Sequence, residues 1–285
     1  MEIIKTLFEM QKLSLSLVQK NVTRGFVPTM GALHEGHLSL IKGSLKETDI
    51  TLVSIFVNPT QFAPSEDLSR YPRPIDKDIE LLKNLGVDYL FLPNEKEIYS
   101  KEFSTYVEVV GLTDRLCGKS RPDHFRGVTT ICSKLFHLVM PTVSYFGQKD
   151  YQQALVIRRM VNDLNMPLEI KVLPIVRDFD GLALSSRNQY LSKDEREVAP
   201  TLYHSLQKVE SMIQQGEMDV DTLKSFITTF LTKSLLISID YISISHSKSL
   251  EELTSLENEK EIIIALAVYI GKTRLIDNKI VSLTH

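Results

Sequence analysis

The feature that most constrains this chain is a repeated alternation in its first two-thirds. Short apolar runs with little polar interruption are separated by stretches with helical spacing. The segment GFVP (25–28) reads as a strand end and 34–46 as a helix. ITLVSIFV (50–57) is mostly β-branched or aromatic, 77–85 has a helical pattern, and YLFL (89–92) is again strand-like. Then 128–139 reads as helix, 143–146 as strand, 152–164 as helix and 168–176 as strand. Strands that are apolar on both sides must be covered on both faces, which crossover helices do for a parallel sheet. The expected fold is therefore α/β, with a doubly wound parallel sheet over residues 1–177. Such sheets hold ligands beyond the carboxyl ends of their strands, so the loops leaving those ends are where chemistry is expected.

The pattern changes after about Asp178. Residues 195–215 and 219–233 read as two surface helices, with Gly216 as a stop between them. Strand candidates at 239–244 and 261–270 and a closing segment at 274–281 follow. Residues 178–285 are expected to form a smaller α+β domain. A length of 285 residues accommodates two domains.

Composition excludes several classes. Hydrophobic residues make up 43% and charged residues 24%, which rules out a disordered chain, a collagen or a coiled-coil rod. Lys plus Arg is 33 against 36 Asp plus Glu, a net charge of −3. Such a chain is not built to coat nucleic acid or an anionic membrane, so neither is expected as a partner. The longest apolar run, 262–270, is far short of the ~20 residues that span a bilayer. Glu2, Lys5, Glu9 and Lys12 interrupt any signal-peptide core. Cys117 and Cys132 lack metal-ligand spacing and read as free thiols of a reducing cytoplasm.

The richest motif is PTMGALHEGH (28–37), where a strand ends, a glycine turns the chain and a helix begins. Unpaired N–H groups and the positive dipole end of that helix favour an anion. His34 and His37 are three apart and share a helix face. Two imidazole donors there can hold phosphate oxygens as negative charge builds up. Gly36 costs about 1 kcal/mol relative to Ala in a helix, and a flat ligand lying against the backbone would account for it. The plain alternative is a pair of surface histidines. A zinc site would need HExxH or a cysteine pair, and the sequence has neither.

Three further clusters follow strand candidates. In FVNPTQF (56–62), the neutral amides of Asn58 and Gln61 can orient a carboxylate or hydroxyl; a proline turn in which Asn58 bonds only backbone fits equally well. Residues 64–74, rich in Pro, Ser and charge, are expected to be a mobile flap. In FGQKDYQQ (146–153), Lys149 is a point charge for phosphate, Asp150 suits a helix start, and Gln153 can face the same crevice. In LSSRN (184–188), the Ser-Ser-Arg sequence can wrap phosphate, with Arg187 the stronger electrostatic partner, or act as a capping loop. RPDHFRG (121–127) gathers basic side chains that can hold phosphate or line an interface. His137, His204 and His246 read as packed or surface histidines. Asp76 and Asp78 read as metal contacts or equally as helix-start charges.

VPTMGALHEGHLSLI, FVNPTQF, DLSRYPR, HFRGV, FGQKDYQQ and DGLALSSRN run in order from residue 27 to 188. Together they resemble the pantoate–β-alanine ligases, a family of the HxGH nucleotidylyl transferase superfamily. The resemblance implies a Rossmann-like first domain and a C-terminal lid. It implies ATP-dependent condensation of pantoate with β-alanine through pantoyl adenylate, releasing pyrophosphate and AMP. It further implies Mg2+ with the ATP, and a cytoplasmic homodimer. By motif, Met30, Gly31, Ala32, Leu33, His34, Glu35, Gly36 and His37 would bind ATP, with His37 as proton donor and His34 on phosphate. Gly147, Gln148, Lys149 and Asp150 would also bind ATP, with Lys149 on the phosphates. Val176, Leu184, Ser185, Ser186 and Arg187 would complete the nucleotide site, Ser186 and Arg187 on phosphate. Gln61 and Gln153 would bind pantoate, and Gln61 would also meet β-alanine. No protein ligand to the metal is implied.

Two positions depart from the family pattern. Asp123 stands where many relatives have Gly and is expected to point outward, and Leu184 stands where many have Met. Two other readings are another HxGH adenylyl transferase and a non-catalytic nucleotide-binding protein. The amides of Asn58, Gln61 and Gln153 argue against the first; the presence of His34, His37, Lys149 and Arg187 argues against the second.

Overall fold

The structure is a computed structural model describing residues 1–64 and 66–283; Ser65, inside the expected flap, lies outside the described residues. In chain order the elements are β1 (Glu2–Ile4), α1 (Leu7–Gln19), β2 (Arg24–Thr29), α2 (Glu35–Glu47), β3 (Ile50–Ile55), α3 (Ile75–Leu85), β4 (Tyr89–Phe91), α4 (Glu95–Ile98), α5 (Cys117–Ser120) and α6 (His124–Val139). They continue with β5 (Val143–Gly147), α7 (Tyr151–Asp163), β6 (Glu169–Leu173), α8 (Lys193–Val198), α9 (Thr201–Gln214), α10 (Val220–Leu231), β7 (Ile237–His246), β8 (Glu261–Ile270) and β9 (Thr273–Ser282). The chain divides into two compact units, Met1–Thr113 with Arg121–Pro174, and Asp114–Ser120 with Ile175–His285.

The first unit is built on a six-stranded sheet of order β1-β4-β3-β2-β5-β6, parallel throughout. Its central strands carry Phe26, Val27, Leu52, Val53, Leu90, Phe91 and Tyr145, all fully buried. This is the doubly wound α/β sheet read from the unbroken apolar runs. The chain steps outward from β2 through β3 to β4, then returns to the other side of β2 with β5. That reversal makes the gap between β2 and β5 the topological switch point, where the strand ends leave a crevice.

The pair β1 and α1 has no counterpart among the sequence expectations. A local signal for it exists: Thr6 and Glu9 form a reciprocal capping box at the start of α1. The part of the expected flap that follows Ser65 is anchored. Tyr71 is buried and meets Phe62 edge-on, and Glu66 is paired with Arg121.

The second unit has an antiparallel sheet of order β7-β8-β9. Leu202, Leu206 and Val209 of α9 and Leu223, Ile227 and Leu231 of α10 share a core with Ile262, Ile264, Leu266, Val268 and Ile270 of β8. The helix expected over 195–215 is instead α8 and α9. Pro200 sits at the break, where a ring in place of an N–H cannot continue the ladder. The expected stop at Gly216 has φ +100°, the left-handed conformation glycine adopts without penalty.

Candidate functional site

The loop after β2 carries the HEGH motif into α2. His34 is the N-cap of that helix, and its Nδ1 accepts from the Gly36 N–H at 3.2 Å. The Nδ1 of His37 accepts from the His34 N–H at 3.4 Å. A neutral imidazole that accepts through Nδ1 carries its proton on Nε2, so both rings offer an Nε2–H donor. The ring centroids are 4.1 Å apart. Burial first, then the charge of Lys149, pushes the His34 pKa down to about 4. Burial first, then neighbouring His34, pushes that of His37 down to about 3. Both rings are therefore uncharged at neutral pH.

The crowding at Gly36 has an occupant within the chain. A Cβ there would lie 2.9 Å from the His34 ring, so the glycine makes room for the capping imidazole; this replaces the flat-ligand explanation. The turn before it also differs from expectation. The N–H of Gly31 donates to Thr29 Oγ1, that of Ala32 to Asp78 Oδ2 at 2.8 Å, and that of Leu33 to Asp78 Oδ1 at 2.8 Å. These amides are not open to an anion. Leu33 packs in the core beneath the turn, and Glu35 is exposed and pairs with Lys42.

Lys149 lies in the turn Gln148–Asp150 that follows β5, across the switch point from the histidines. It and Asp150 both act electrostatically on His34 and His37, so the structure brings these four groups together. Gly147 ends β5, and Gln153 is half-buried in the first turn of α7. Its neighbour Gln152 turns inward and donates to the Leu112 carbonyl at 2.8 Å.

The loop after β3 is built around a saturated amide. Asn58, 1% exposed, donates to Gln61 Oε1 at 3.0 Å and to the Gly127 carbonyl at 3.1 Å. Its Oδ1 accepts from Thr60 at 2.9 Å and from the Tyr99 hydroxyl at 2.7 Å. With two donors and two lone pairs all used, Asn58 has nothing left for a substrate. It is corrected from substrate contact to positioning group. Gln61 Nε2 lies 3.0 Å from Met30 Sδ, which joins this loop to the HEGH turn.

The backbone of Gln61 is held as well. Its carbonyl accepts from His124 Nδ1 at 2.8 Å and from Arg121 at 3.3 Å. Arg121 also grips Glu66 with two 2.6 Å contacts. The expected phosphate role of Arg121 is thus replaced by a clamp across the segment after Gln61. Burial first, then Arg121, pushes the His124 pKa down to about 4, so its ring is neutral. Gly127 allows this arrangement, because a Cβ there would stand 2.4 Å from the Thr60 carbonyl oxygen.

Val176 and Leu184 to Arg187 belong to the second unit. The Leu184 N–H donates to the Val176 carbonyl at 3.0 Å, and Ser185 Oγ accepts from the Arg187 N–H at 3.3 Å. Arg177 braces this loop, pairing with Asp277 and donating to the Gly181 carbonyl at 3.0 Å.

Among the described residues no group of three or more His, Cys, Asp or Glu could hold a metal ion. Asp78, a metal contact or helix-start charge on sequence grounds, instead commits both oxygens to backbone amides. Among the described residues no helix is long and apolar enough to cross a membrane.

The family model described as Pantoate-beta-alanine ligase matches residues 2–280. The chain belongs to the pantoate–β-alanine ligase family. It is 52% identical over 281 residues to the pantothenate synthetase of Thermosipho africanus, covering 99% of this chain and 100% of that one. It is 51% identical over 282 residues to the pantothenate synthetase of Fervidobacterium nodosum, with 99% and 100% covered. Among solved structures, pantothenate synthetase from Thermus thermophilus superposes with a TM-score of 0.92 at 41% identity, covering 98% and 99% of the two chains. Pantoate-beta-alanine ligase from Francisella tularensis, complexed with beta-gamma ATP and beta-alanine, superposes at 0.79 with 38% identity, covering 98% and 97%.

Within the pantoate–β-alanine ligase pattern, the Asp123 departure has a backbone explanation. Asp123 has φ +65°, a conformation that glycine takes freely and that Asp tolerates better than most residues. Its side chain is 66% exposed and pairs with Arg126, pointing outward as expected.

Proposed function

We propose that this chain joins pantoate to β-alanine with ATP, forming pantothenate, AMP and pyrophosphate through a pantoyl adenylate. The observation that carries this reading is the pair His34 and His37, with Nε2–H donors beside Lys149 at the carboxyl end of β2. In the first step a pantoate carboxylate oxygen attacks the α-phosphorus of ATP, and the bond to pyrophosphate breaks. In the second, the β-alanine amine attacks the acyl carbon, loses a proton, and AMP leaves. Neither step needs a protein nucleophile, so catalysis rests on positioning and charge stabilisation.

Each residue's part follows from its chemistry. Lys149 supplies a full positive charge to the phosphates. The neutral imidazoles add donors that strengthen as charge gathers on phosphate oxygens. His37 is thereby read as a hydrogen-bond donor, where the motif implies a proton donor. Gln61 and Gln153 hold pantoate through amides, and Gln61 reaches β-alanine. Gly147, Gln148 and Asp150, with Met30 to His37, line the nucleotide. The roles of Val176, Leu184, Ser185, Ser186 and Arg187, and of the second unit as a lid, rest on the motif. Mg2+, if it enters with ATP, is held by the phosphates. A cytoplasmic homodimer completes the proposal, resting on the cysteine usage read from the sequence and on the motif resemblance.

The test is pyrophosphate release with each co-substrate omitted in turn. Release that needs pantoate, with AMP accumulating only when β-alanine is added, is expected. ADP and phosphate as products, or exchange with a nucleotide acceptor in place of pantoate, would overturn the proposal.

A further inference from the structure

The turn between β2 and α2 contains a buried anion supplied by the chain itself. Gly31 and Ala32 have φ of +82° and +51°. A turn can point successive N–H groups inward into a concave nest, which elsewhere receives phosphate. Here the nest is filled. Asp78, 1% exposed and far away in sequence, sends one oxygen to the Ala32 N–H and the other to the Leu33 N–H, each at 2.8 Å. Asp78 is the fourth residue of α3, within the first turn, where the helix dipole favours a negative charge. The fit is close: a Cβ on Gly31 would stand 3.1 Å from Asp78 Oδ2.

Two consequences follow. An alanine at positive φ persists only where its surroundings fix it, and the carboxylate fixes it by holding its amide. Leu33 immediately precedes the N-cap His34, so the same bidentate grip sets where the capping imidazole begins. The amides being occupied, phosphate recognition on this side falls to the His34 and His37 rings and Lys149.

We propose that Asp78 is a positioning residue for adenylation: its carboxylate fills the amide nest of residues 31–33 as an internal anion and thereby holds His34 and His37 in register with the nucleotide. The proposal rests on the reading of these histidines as phosphate contacts. Burial raises the pKa of Asp78, and the Leu33 and Ala32 N–H bonds and the charge of Lys77 oppose that rise without cancelling it.

The test uses full-length Asp78→Asn and Asp78→Ala, with folding checked by circular dichroism and thermal unfolding. Asn can accept from only one of the two N–H groups and turns a donor toward the other. Pyrophosphate release should fall about 100-fold in kcat, the scale of a misplacement of about 1 Å, while the KM for pantoate stays near its wild-type value. Formate should restore part of the activity of Asp78→Ala by refilling the nest, and should not stimulate the wild type. Folded variants with near-normal kcat, or a loss confined to pantoate KM, would overturn the proposal. If the variants do not fold, amide hydrogen exchange of wild-type Ala32 and Leu33 decides: strong protection supports the nest, exchange at loop rates overturns it. A wild-type chain that releases no pantoate-dependent pyrophosphate would defeat the functional reading instead, and the exchange measurement would still judge the nest.

Discussion

Asn58 donates a side-chain hydrogen to Oε1 of Gln61 over 3.0 Å, so the amide proposed to meet pantoate is aimed by one that is itself closed to solvent. Replacing Asn58 with Ala removes one partner each from the Gly127 carbonyl, the Gln61 amide and the Tyr99 hydroxyl, which keeps Thr60 at 3.1 Å. The expected cost is about 1–3 kcal/mol in stability, as for losing buried hydrogen bonds, together with a raised KM for pantoate. Urea unfolding and initial rates measure both. An unchanged pantoate KM would show that Gln61 does not depend on Asn58.

Removing a donor or charge from the proposed phosphate-binding cluster should act on the rate. His37→Ala or Lys149→Ala is expected to slow adenylate formation by roughly 10²–10³-fold, the scale of losing one transition-state donor. Single-turnover pyrophosphate release reads this directly, and near-wild-type rates would remove the residue from its assigned role.

Gly127→Ala tests the close approach of α6 to the Pro59–Gln61 turn. The added methyl would meet the Thr60 carbonyl at 2.4 Å, a backbone atom that cannot rotate away. Overpacking of this kind costs about 1–3 kcal/mol, and the displaced turn should carry Gln61 with it. A lowered Tm with a raised pantoate KM is expected; a variant indistinguishable from wild type would contradict the contact.

Three half-buried histidines give stability a pH dependence. His34, His37 and His124 have folded pKa values of about 4, 3 and 4, all below the ordinary 6.5. As pH falls below 6.5 the unfolded chain takes up protons that the folded chain refuses, so stability present above that pH is lost between about 6.5 and 3. At pH 5 the loss is up to about 2 kcal/mol from each group. Urea midpoints at pH 7 and pH 5 should show it, and His37→Asn should lessen the difference. Equal midpoints would refute the neutral assignment.

The second unit has its own test in Arg177, whose two guanidinium contacts to Asp277 measure 2.6 and 2.9 Å while the Asp277 side chain is only 2% exposed. Arg177→Ala takes the cation away from a buried carboxylate that keeps the Asn278 N–H at 2.8 Å, and is expected to cost about 3–5 kcal/mol. Thermal unfolding measures this, and a shift too small to resolve would place the pair in solvent.

The parallel sheet, the change of character after the sixth strand, and the HEGH, FGQKD and SSRN loops are legible because they rest on local periodicity and on motifs contiguous in sequence. The capping box at Thr6 and Glu9 is an equally local signal. Asn58, Asp78 and Arg121 are different, because in sequence each looks like an available polar group. Their true partners lie 69 residues away for the Asn58 contact to Gly127, 46 for the Asp78 contact to Ala32 and 55 for the Arg121 contact to Glu66. Nothing local distinguishes a polar side chain that waits for a ligand from one already satisfied by distant backbone.

By itself, the sequence determined the alternation that makes a doubly wound sheet and the residue types its loops present, because hydrophobic period and turn chemistry act over a few neighbours. Only the tertiary structure decided which of those polar groups remain open. The crossover of the chain at β2 and β5 brings His34, His37 and Lys149 together, and the packing of α3 and α6 against the loops closes Asp78, Asn58 and Arg121. The physical reason is that a buried polar group must find a partner, and which partner it finds is a matter of distance in space.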